Sequence, residues 1–308
     1  MNILVTGSAG MIGGYVVKGL IGKGYVVLGV DRRKNDNLND NVNRLVQEFK
    51  SSKDQDDIND SRLEQVVLDL SDKEAVNKFF EDKKIDRCIH LAALAHTKGV
   101  TDTSWEAFKK VNVDCAVNLF EACAKHNVPV LFISTVDAIG MVKGLITPET
   151  ELNPISNYGK SKAMAEGRLK EICSQYNIYR FSPVYTEDVK RDIQKRYYLK
   201  YPDWAYLIGG GQQFEVLNVK GAVAAMVDWV DKDVDNTIHI IKDEELLDSA
   251  KVIEKEKAEG RAKHVLHFPR WMVVCGYYAI KLVFGKSNKT YLVFKALWPF
   301  RTAESSNV

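Results

Sequence analysis

The feature that most constrains this chain is a glycine-punctuated turn close to its start. Ile3-Leu4-Val5 is a short β-type run, Thr6-Gly7-Ser8-Ala9-Gly10-Met11-Ile12-Gly13-Gly14 follows, and Val16, Val17, Leu20 and Ile21 continue as an apolar helical pattern. Strand, glycine turn and helix in that order are the context a dinucleotide phosphate loop requires. Gly7 permits the tight turn, Gly10 lets backbone approach a pyrophosphate, and Gly13 lets helix and strand pack closely, while the helix N-terminus favours the anion. The next run, Val26-Val27-Leu28-Gly29-Val30, ends in Asp31. A carboxylate about 20 positions beyond such a loop suits the 2′-hydroxyl of an NAD ribose and repels the 2′-phosphate of NADP. Arg32 and Arg33 follow at once and can receive a phosphate, so NAD is preferred and NADP is the lesser alternative.

Further strand-like runs alternate with helical patterns. Gln65–Leu70 precedes a helix expected over about 72–84, Cys88–Ala93 ends in small residues that let backbone lie close to a cofactor, and a helical pattern runs over about 104–126. Asp69 reads equally as an adenine contact or as part of a helix cap with Ser71 and Asp72. His90, within an apolar strand, reads as structural, whereas His96 lies just past it, where loops carry function, and is a candidate substrate contact. Asn112, inside the long helical pattern, marks either a buried hydrogen-bonding role or solvated surface. The polar segment from Lys34 to Asp60 reads as a surface excursion.

Pro129–Val136 is the next strand, and the carboxyl ends of such strands are where an open parallel sheet carries its chemistry. Ser156-Asn157-Tyr158-Gly159-Lys160-Ser161-Lys162 then opens a helix with Tyr158 and Lys162 on one face. A free tyrosine titrates near pH ~10, and a neighbouring ammonium favours the phenolate a general base needs. The spacing alone is weak, because Tyr277/Lys281 and Tyr291/Lys295 share it. Only the first pair follows a glycine loop, an acidic strand end and Ser134-Thr135.

With these residues in place the chain resembles the extended short-chain dehydrogenase/reductases of the NAD-dependent epimerase/dehydratase type. The resemblance rests on Thr6-Gly7-x-x-Gly10-x-x-Gly13, Asp31, Asp69-Leu70, His90-Leu91-Ala92-Ala93, Asn112, Ser134-Thr135, Tyr158-x-x-x-Lys162 and Arg180-Phe181-Ser182-Pro183-Val184-Tyr185. It implies an α/β fold: a Rossmann doubly wound parallel sheet with a smaller C-terminal substrate-binding lobe. Residues 1–180 would bind NAD, with a strand or helix returning from about 211–242, and 181–308 would mainly hold a nucleotide sugar. It also implies Tyr158 as proton carrier, Lys162 as its partner and ribose contact, and Thr135 as a hydrogen-bond partner of the reacting oxygen. Gly7, Gly10, Met11, Ile12, Gly13, Asp31, Arg32, Asp69, Leu70, Leu91, Ala92, Ala93 and Pro183 would line the cofactor.

The chain departs from the family pattern where Asp137-Ala138-Ile139-Gly140 replaces the common Val-Tyr-Gly form. Val136 and Asp137 stand where sugar 4,6-dehydratases carry Asp-Glu, which argues against dehydration and makes Asp137 a substrate-side candidate. Thr186-Glu187-Asp188 replaces the usual Gly-Pro.

A helix is expected over 188–200, from which Arg191, Lys195 or Arg196 would grip a substrate diphosphate. Phe214–Val219 reads as a strand and 245–259 as a charged helix. Trp271–Phe284 is apolar but short of the ~20 residues that span a bilayer. The favoured reading is a packed helix of the lobe; the alternative is a monotopic anchor made with Tyr291–Phe300. Forty-three basic against forty-one acidic residues leave +2, which supplies no bulk field for nucleic acid. Five cysteines without Cys-x-x-Cys pairing read as free thiols, and with no signal peptide visible they point to the cytoplasm. No metal-ligand spacing occurs.

The expected activity is NAD-dependent epimerisation at C4 of a UDP-sugar through a transient 4-keto sugar. A nucleotide 4-ketosugar reductase using NADH or NADPH is the alternative, and a catalytically silent dinucleotide-binding protein the second alternative. The resemblance further implies a homodimer.

Overall fold

The computed structural model describes residues 1–34, 62–95, 104–186, 191–194, 196–199 and 203–303. Most of the excursion expected over 34–60, together with His96 and Lys195, lies outside them.

Seven strands form the main sheet: β1 (Asn2–Thr6), β2 (Val26–Asp31), β3 (Leu63–Val67), β4 (Arg87–His90), β5 (Val130–Thr135), β6 (Tyr176–Phe181) and β7 (Ile238–Ile241). Their order is β7-β6-β5-β4-β1-β2-β3. The β1–β2, β1–β4, β2–β3 and β4–β5 pairs are all parallel. Parallel strands covered on both faces are apolar without alternation, which is why Ile3, Leu4 and Val5, and later Val130, Leu131 and Phe132, are consecutively buried. Strand order reverses between β1 and β4, the point at which open α/β sheets bind ligands. This is the doubly wound, Rossmann-like α/β architecture expected.

Helices α1 (Met11–Gly22) and α2 (Lys73–Asp82) follow β1 and β3. The helical pattern over 104–126 is interrupted: α3 (Trp105–Lys109) passes into a π turn, Lys110–Asp114, before α4 (Cys115–Lys125) resumes. The wider turn carries Asn112, which is 1% exposed and therefore takes the buried role, not the solvated one. Helix α5 (Asn157–Ile172) carries Tyr158 and Lys162.

The chain divides into two compact units, one of residues 1–134, 161–179 and 223–239, the other of 135–160, 180–222 and 240–308. In the first, Leu4, Phe80, Leu119, Phe120 and Phe132 share one core. The second is built around Ile139, Ile146, Tyr277, Tyr291, Phe294 and Leu297.

Three expectations for the C-terminal third are corrected. Phe214–Val219 is not one strand: Gln213–Phe214 pairs with Leu247–Asp248, Leu217–Asn218 pairs with Val184–Tyr185, and Val219 already begins α6 (Val219–Trp229). Two different partners within six residues leave no continuous ladder. The helix expected over 188–200 is, among the described residues, only the single turn Arg191–Gln194. The charged helix is shorter, α7 (Ser249–Ala258), because Asp248 accepts from the Ala250 and Lys251 N–H groups and so caps it there. Two further helices, α8 (Arg270–Phe284) and α9 (Asn288–Leu297), carry the other two Tyr-x-x-x-Lys pairs.

Candidate active site

The glycine loop is shaped by contacts that exclude a side chain. Gly7 has φ +74°, and a Cβ there would lie 2.8 Å from Ala92 N; a Cβ at Gly13 would lie 2.1 Å from the Gly7 carbonyl oxygen. Gly10 is the N-cap of α1 and offers no side-chain cap, and no acidic residue occupies the first turn. The helix N-terminus therefore keeps donors for an anion. Asp31 sits beside the loop, its carboxylate accepting from the N–H of Ala9 at 3.2 Å and of Arg33 at 3.2 Å. These features fit a dinucleotide: backbone that comes close, a positive helix end, and a carboxylate one strand away.

The ends of β1 and β4 are tied by Thr6 Oγ1, which lies 2.7 Å from His90 Nδ1 and accepts from Ala92 N–H at 3.3 Å. Burial, reinforced by the nearby Lys162 charge, pushes the His90 imidazolium pKa down to about 3, so the ring is neutral and structural. Asp69 accepts from Ser71 N–H at 2.9 Å, while Asp72 caps α2. The Ser71 hydrogen bonds hold the Asp69 carboxyl below its ordinary range. Leu70 is buried, Met11 is 46% exposed, and Ile12, Leu91 and Ala92 are half-buried. Arg32 and Ala93 are exposed, and Pro183 is half-buried in the other unit.

Thr135 ends β5, and its Oγ1 accepts from Asp137 N–H at 3.2 Å, capping a 3-10 turn over Val136–Ala138. Tyr158 is half-buried one turn before Lys162 on α5. Ser156 receives the Gly159 N–H at 2.9 Å and so fixes the start of this helix. A Cβ at Gly159 would lie 2.4 Å from the Asp137 carbonyl oxygen, so glycine is what lets the first turn of α5 approach the turn after Thr135.

Lys162 is 2% exposed and donates to the Ile133 carbonyl at 2.8 Å, with its ammonium 4.6 Å from the centre of the Phe132 ring. Burial lowers its pKa to about 7, partly offset by the Glu166 charge. Sequence reasoning missed Glu166, although it lies four positions beyond Lys162. Its carboxylate accepts from Ser134 Oγ at 2.5 Å, so the residue before Thr135 is bonded to the helix that carries Lys162. Asn112 donates to Ser161 Oγ at 2.8 Å and to the Leu94 carbonyl at 3.0 Å, and accepts from Leu94 N–H at 2.6 Å. The π turn thereby clamps α5 to the segment that leaves β4.

Asp137 has a different environment from the one its position suggested. Its carboxylate accepts from Ser156 Oγ at 3.1 Å, the Tyr291 hydroxyl at 3.0 Å and Lys295 Nζ at 3.1 Å. Burial alone would raise its pKa, but Lys295, Tyr291 and Ser156 together hold it below the ordinary carboxylate range. Burial and Asp137 push the Tyr291 phenol far above its ordinary value. The Tyr291/Lys295 pair thus serves a carboxylate inside the fold. Of the basic candidates, Arg191 lies in the single helical turn, and Arg196 is half-buried with its guanidinium 5.0 Å from the Phe214 ring.

A doubly wound sheet with this loop and a tyrosine–lysine helix defines a dinucleotide-dependent α/β enzyme class. The chain belongs to the NAD dependent epimerase/dehydratase family, whose model matches residues 3–234. NAD is the cofactor of that family. UDP-arabinose 4-epimerase 1 of Arabidopsis thaliana is 34% identical over 167 residues, 54% of this chain and 38% of that protein. The chain thus matches well under half the length of that relative. The UDP-glucose 4-epimerase of Thermotoga maritima, solved with UDP-glucose, is 25% identical with a TM-score of 0.64, covering 87% of this chain and 86% of that one. The UDP-glucuronic acid 4-epimerase of Bacillus cereus, solved with UDP-glucuronic acid and NAD, has a TM-score of 0.66 at 22% identity, covering 87% and 86%. The last of these likenesses bears on the fold.

Proposed function

We propose that the chain is an NAD-dependent epimerase acting at C4 of a UDP-sugar. The observation that carries this reading is the helix α5, which holds Tyr158 one turn from a buried Lys162 anchored on the Ile133 carbonyl, in a chain whose curated relatives include UDP-sugar 4-epimerases. Gly7, Gly10, Gly13 and Asp31 would hold the cofactor, with Met11, Ile12, Arg32, Asp69, Leu70 and the Leu91–Ala93 backbone around it. When bound there, NAD would supply a reversible hydride acceptor for the sugar carbon.

Tyr158 receives the 4-hydroxyl proton on its phenolic oxygen and gives it back after the sugar has turned. Lys162, with a pKa near neutrality, stabilises the phenolate and exchanges charge with it at little cost. Thr135 donates its hydroxyl to the reacting oxygen. Asp137, held by three donors, is not part of the substrate set in this reading. A basic residue of the 191–196 segment is the diphosphate contact.

The test is conversion of a panel of UDP-, GDP- and dTDP-sugars without added cofactor, together with mass spectrometry of the nucleotide that copurifies. Redox-neutral interconversion of C4 epimers supports the reading, and strict dependence on stoichiometric NADH or NADPH assigns the chain to the ketosugar reductases. A homodimer through the helices beginning near Ser104 and Tyr158, in the cytoplasm, accompanies the proposal; light scattering that returns a monomer mass contradicts the dimer.

A further inference from the structure

Helix α8 is apolar around its whole circumference, yet only Tyr277 of its fifteen residues is buried. Its inner face is accounted for: Tyr277 packs edge-on to Trp298 at 5.1 Å, and Val273 and Val274 join the same core. Among the described residues, the outer face has no such cover. Trp271, Cys275, Tyr278 and Leu282 succeed one another at intervals of four, three and four residues and form one stripe. Trp271 is 69% exposed and Leu282 88%, and at the tip of the α8–α9 hairpin Val283 is 72% and Phe284 48% exposed. A helix apolar on all sides belongs in a core or against lipid, and this one has half of that environment.

The charges around the stripe decide what fits it. The sequence contains no aspartate or glutamate between Glu259 and Glu304, whereas eight lysines and arginines fall in that interval, among them Arg270, Lys281, Lys286, Lys289, Lys295 and Arg301. Lys295 is committed to Asp137. Lys281, Lys286 and Lys289 are exposed around the apolar tip, and the Lys289 ammonium stands 4.3 Å from the Phe284 ring centre. Apolar side chains at a tip collared by lysines are the pattern of an element lying in a bilayer interface: the rings and alkyl groups enter the acyl boundary and the ammonium groups reach the headgroups. A second copy of the same face would bring lysine against lysine, which disfavours self-association.

We infer that α8 and the α8–α9 tip form a monotopic docking surface for an anionic lipid bilayer. The helix lies along the surface and does not cross it, since no helix among the described residues is long and apolar enough to span. The contribution of each lysine near an anionic surface corresponds to about a five-fold change in partitioning, and the apolar insertion adds to it.

The inference is tested with the full chain and vesicles of phosphatidylcholine, with or without phosphatidylglycerol. The chain is expected to sediment with the anionic vesicles and to remain in the supernatant with phosphatidylcholine alone. Cys275 is the exposed cysteine, the other four being buried, so a solvent-sensitive dye on it should shift to the blue on adding anionic vesicles. The exposed-residue variants Leu282→Ser with Phe284→Ser, and Lys286→Glu with Lys289→Glu, should each lower vesicle binding at least ten-fold with unchanged circular dichroism. The inference is overturned if the parent chain ignores both vesicle types. It is also overturned if the variants bind as the parent does, or if the dye shift tracks protein concentration without vesicles, which would make the stripe a contact between copies.

Discussion

Lys295 Nζ donates to Asp137 Oδ1 at 3.1 Å across 158 positions of sequence, joining the helix α9 to the turn that follows Thr135. Ser156, which caps the start of α5, holds the other oxygen of the same carboxylate. Three segments that each touch the proposed reaction machinery, or its immediate support, are therefore fixed on one anion. In the proposed reading Asp137 would act through these neighbours, as a positioning residue.

Removing the cation should be costly. Lys295→Met leaves a largely buried carboxylate with two neutral donors, and unfolding by denaturant should show a loss of about 1–3 kcal/mol. The pH dependence follows from sign. The folded pKa of Asp137 is depressed, so its stabilisation is present above the unfolded value near ~3.9 and disappears as pH falls through the folded value. The difference in stability between parent and Lys295→Met should accordingly shrink below about pH 4.

Gly159→Ala should reduce both stability and turnover, because the new methyl would fall 2.4 Å from the Asp137 carbonyl oxygen and push the first turn of α5 outward. Overpacking of this kind costs about 1–3 kcal/mol. If kcat falls while KM for the sugar holds, the displacement acts on Tyr158 and not on substrate binding.

Lys162 gives a pH profile. With its pKa near 7, kcat/KM should fall as pH drops below about 7, where the Tyr158–Lys162 pair holds one proton too many for the phenol to act as base. A profile flat from about pH 6 to 8 contradicts this assignment. For stability the sign is the same as for Asp137, since both groups have folded pKa values below their unfolded ones, but the window is different. The folded lysine binds fewer protons than the unfolded one between about 7 and ~10.4, so parent stability relative to Lys162→Met should rise with pH across that interval.

Glu166→Gln keeps the size of the side chain and an acceptor for Ser134 but removes the charge that raises the Lys162 pKa. The acid limb of kcat/KM should move to lower pH. An unmoved limb would show that Glu166 serves only packing and hydrogen bonding.

What was legible in the sequence was local. The glycine loop, Asp31 and the Tyr158–Lys162 spacing are set by backbone sterics and helix periodicity, which a short window contains. The double role of Phe214–Val219 was not legible, because its two halves pair with strands distant in sequence. The π turn at Asn112 was hidden inside an unbroken helical pattern, since one extra residue per turn leaves composition unchanged. Tyr291 and Lys295 share the Tyr158–Lys162 spacing, and nothing nearby in sequence marks their partner, Asp137, which lies more than a hundred residues earlier. Periodicity was silent on α8 too, for a helix apolar on every side gives no sign of which face is covered.

The most direct test of the central claim uses a UDP-sugar deuterated at C4, incubated with the chain and no added cofactor. The C4 epimer is expected to form with its deuterium retained, and Tyr158→Phe to keep bound NAD but lose turnover by a factor of about 10²–10⁴. Loss of the deuterium to solvent, or conversion that runs only with stoichiometric NADH or NADPH, would contradict it.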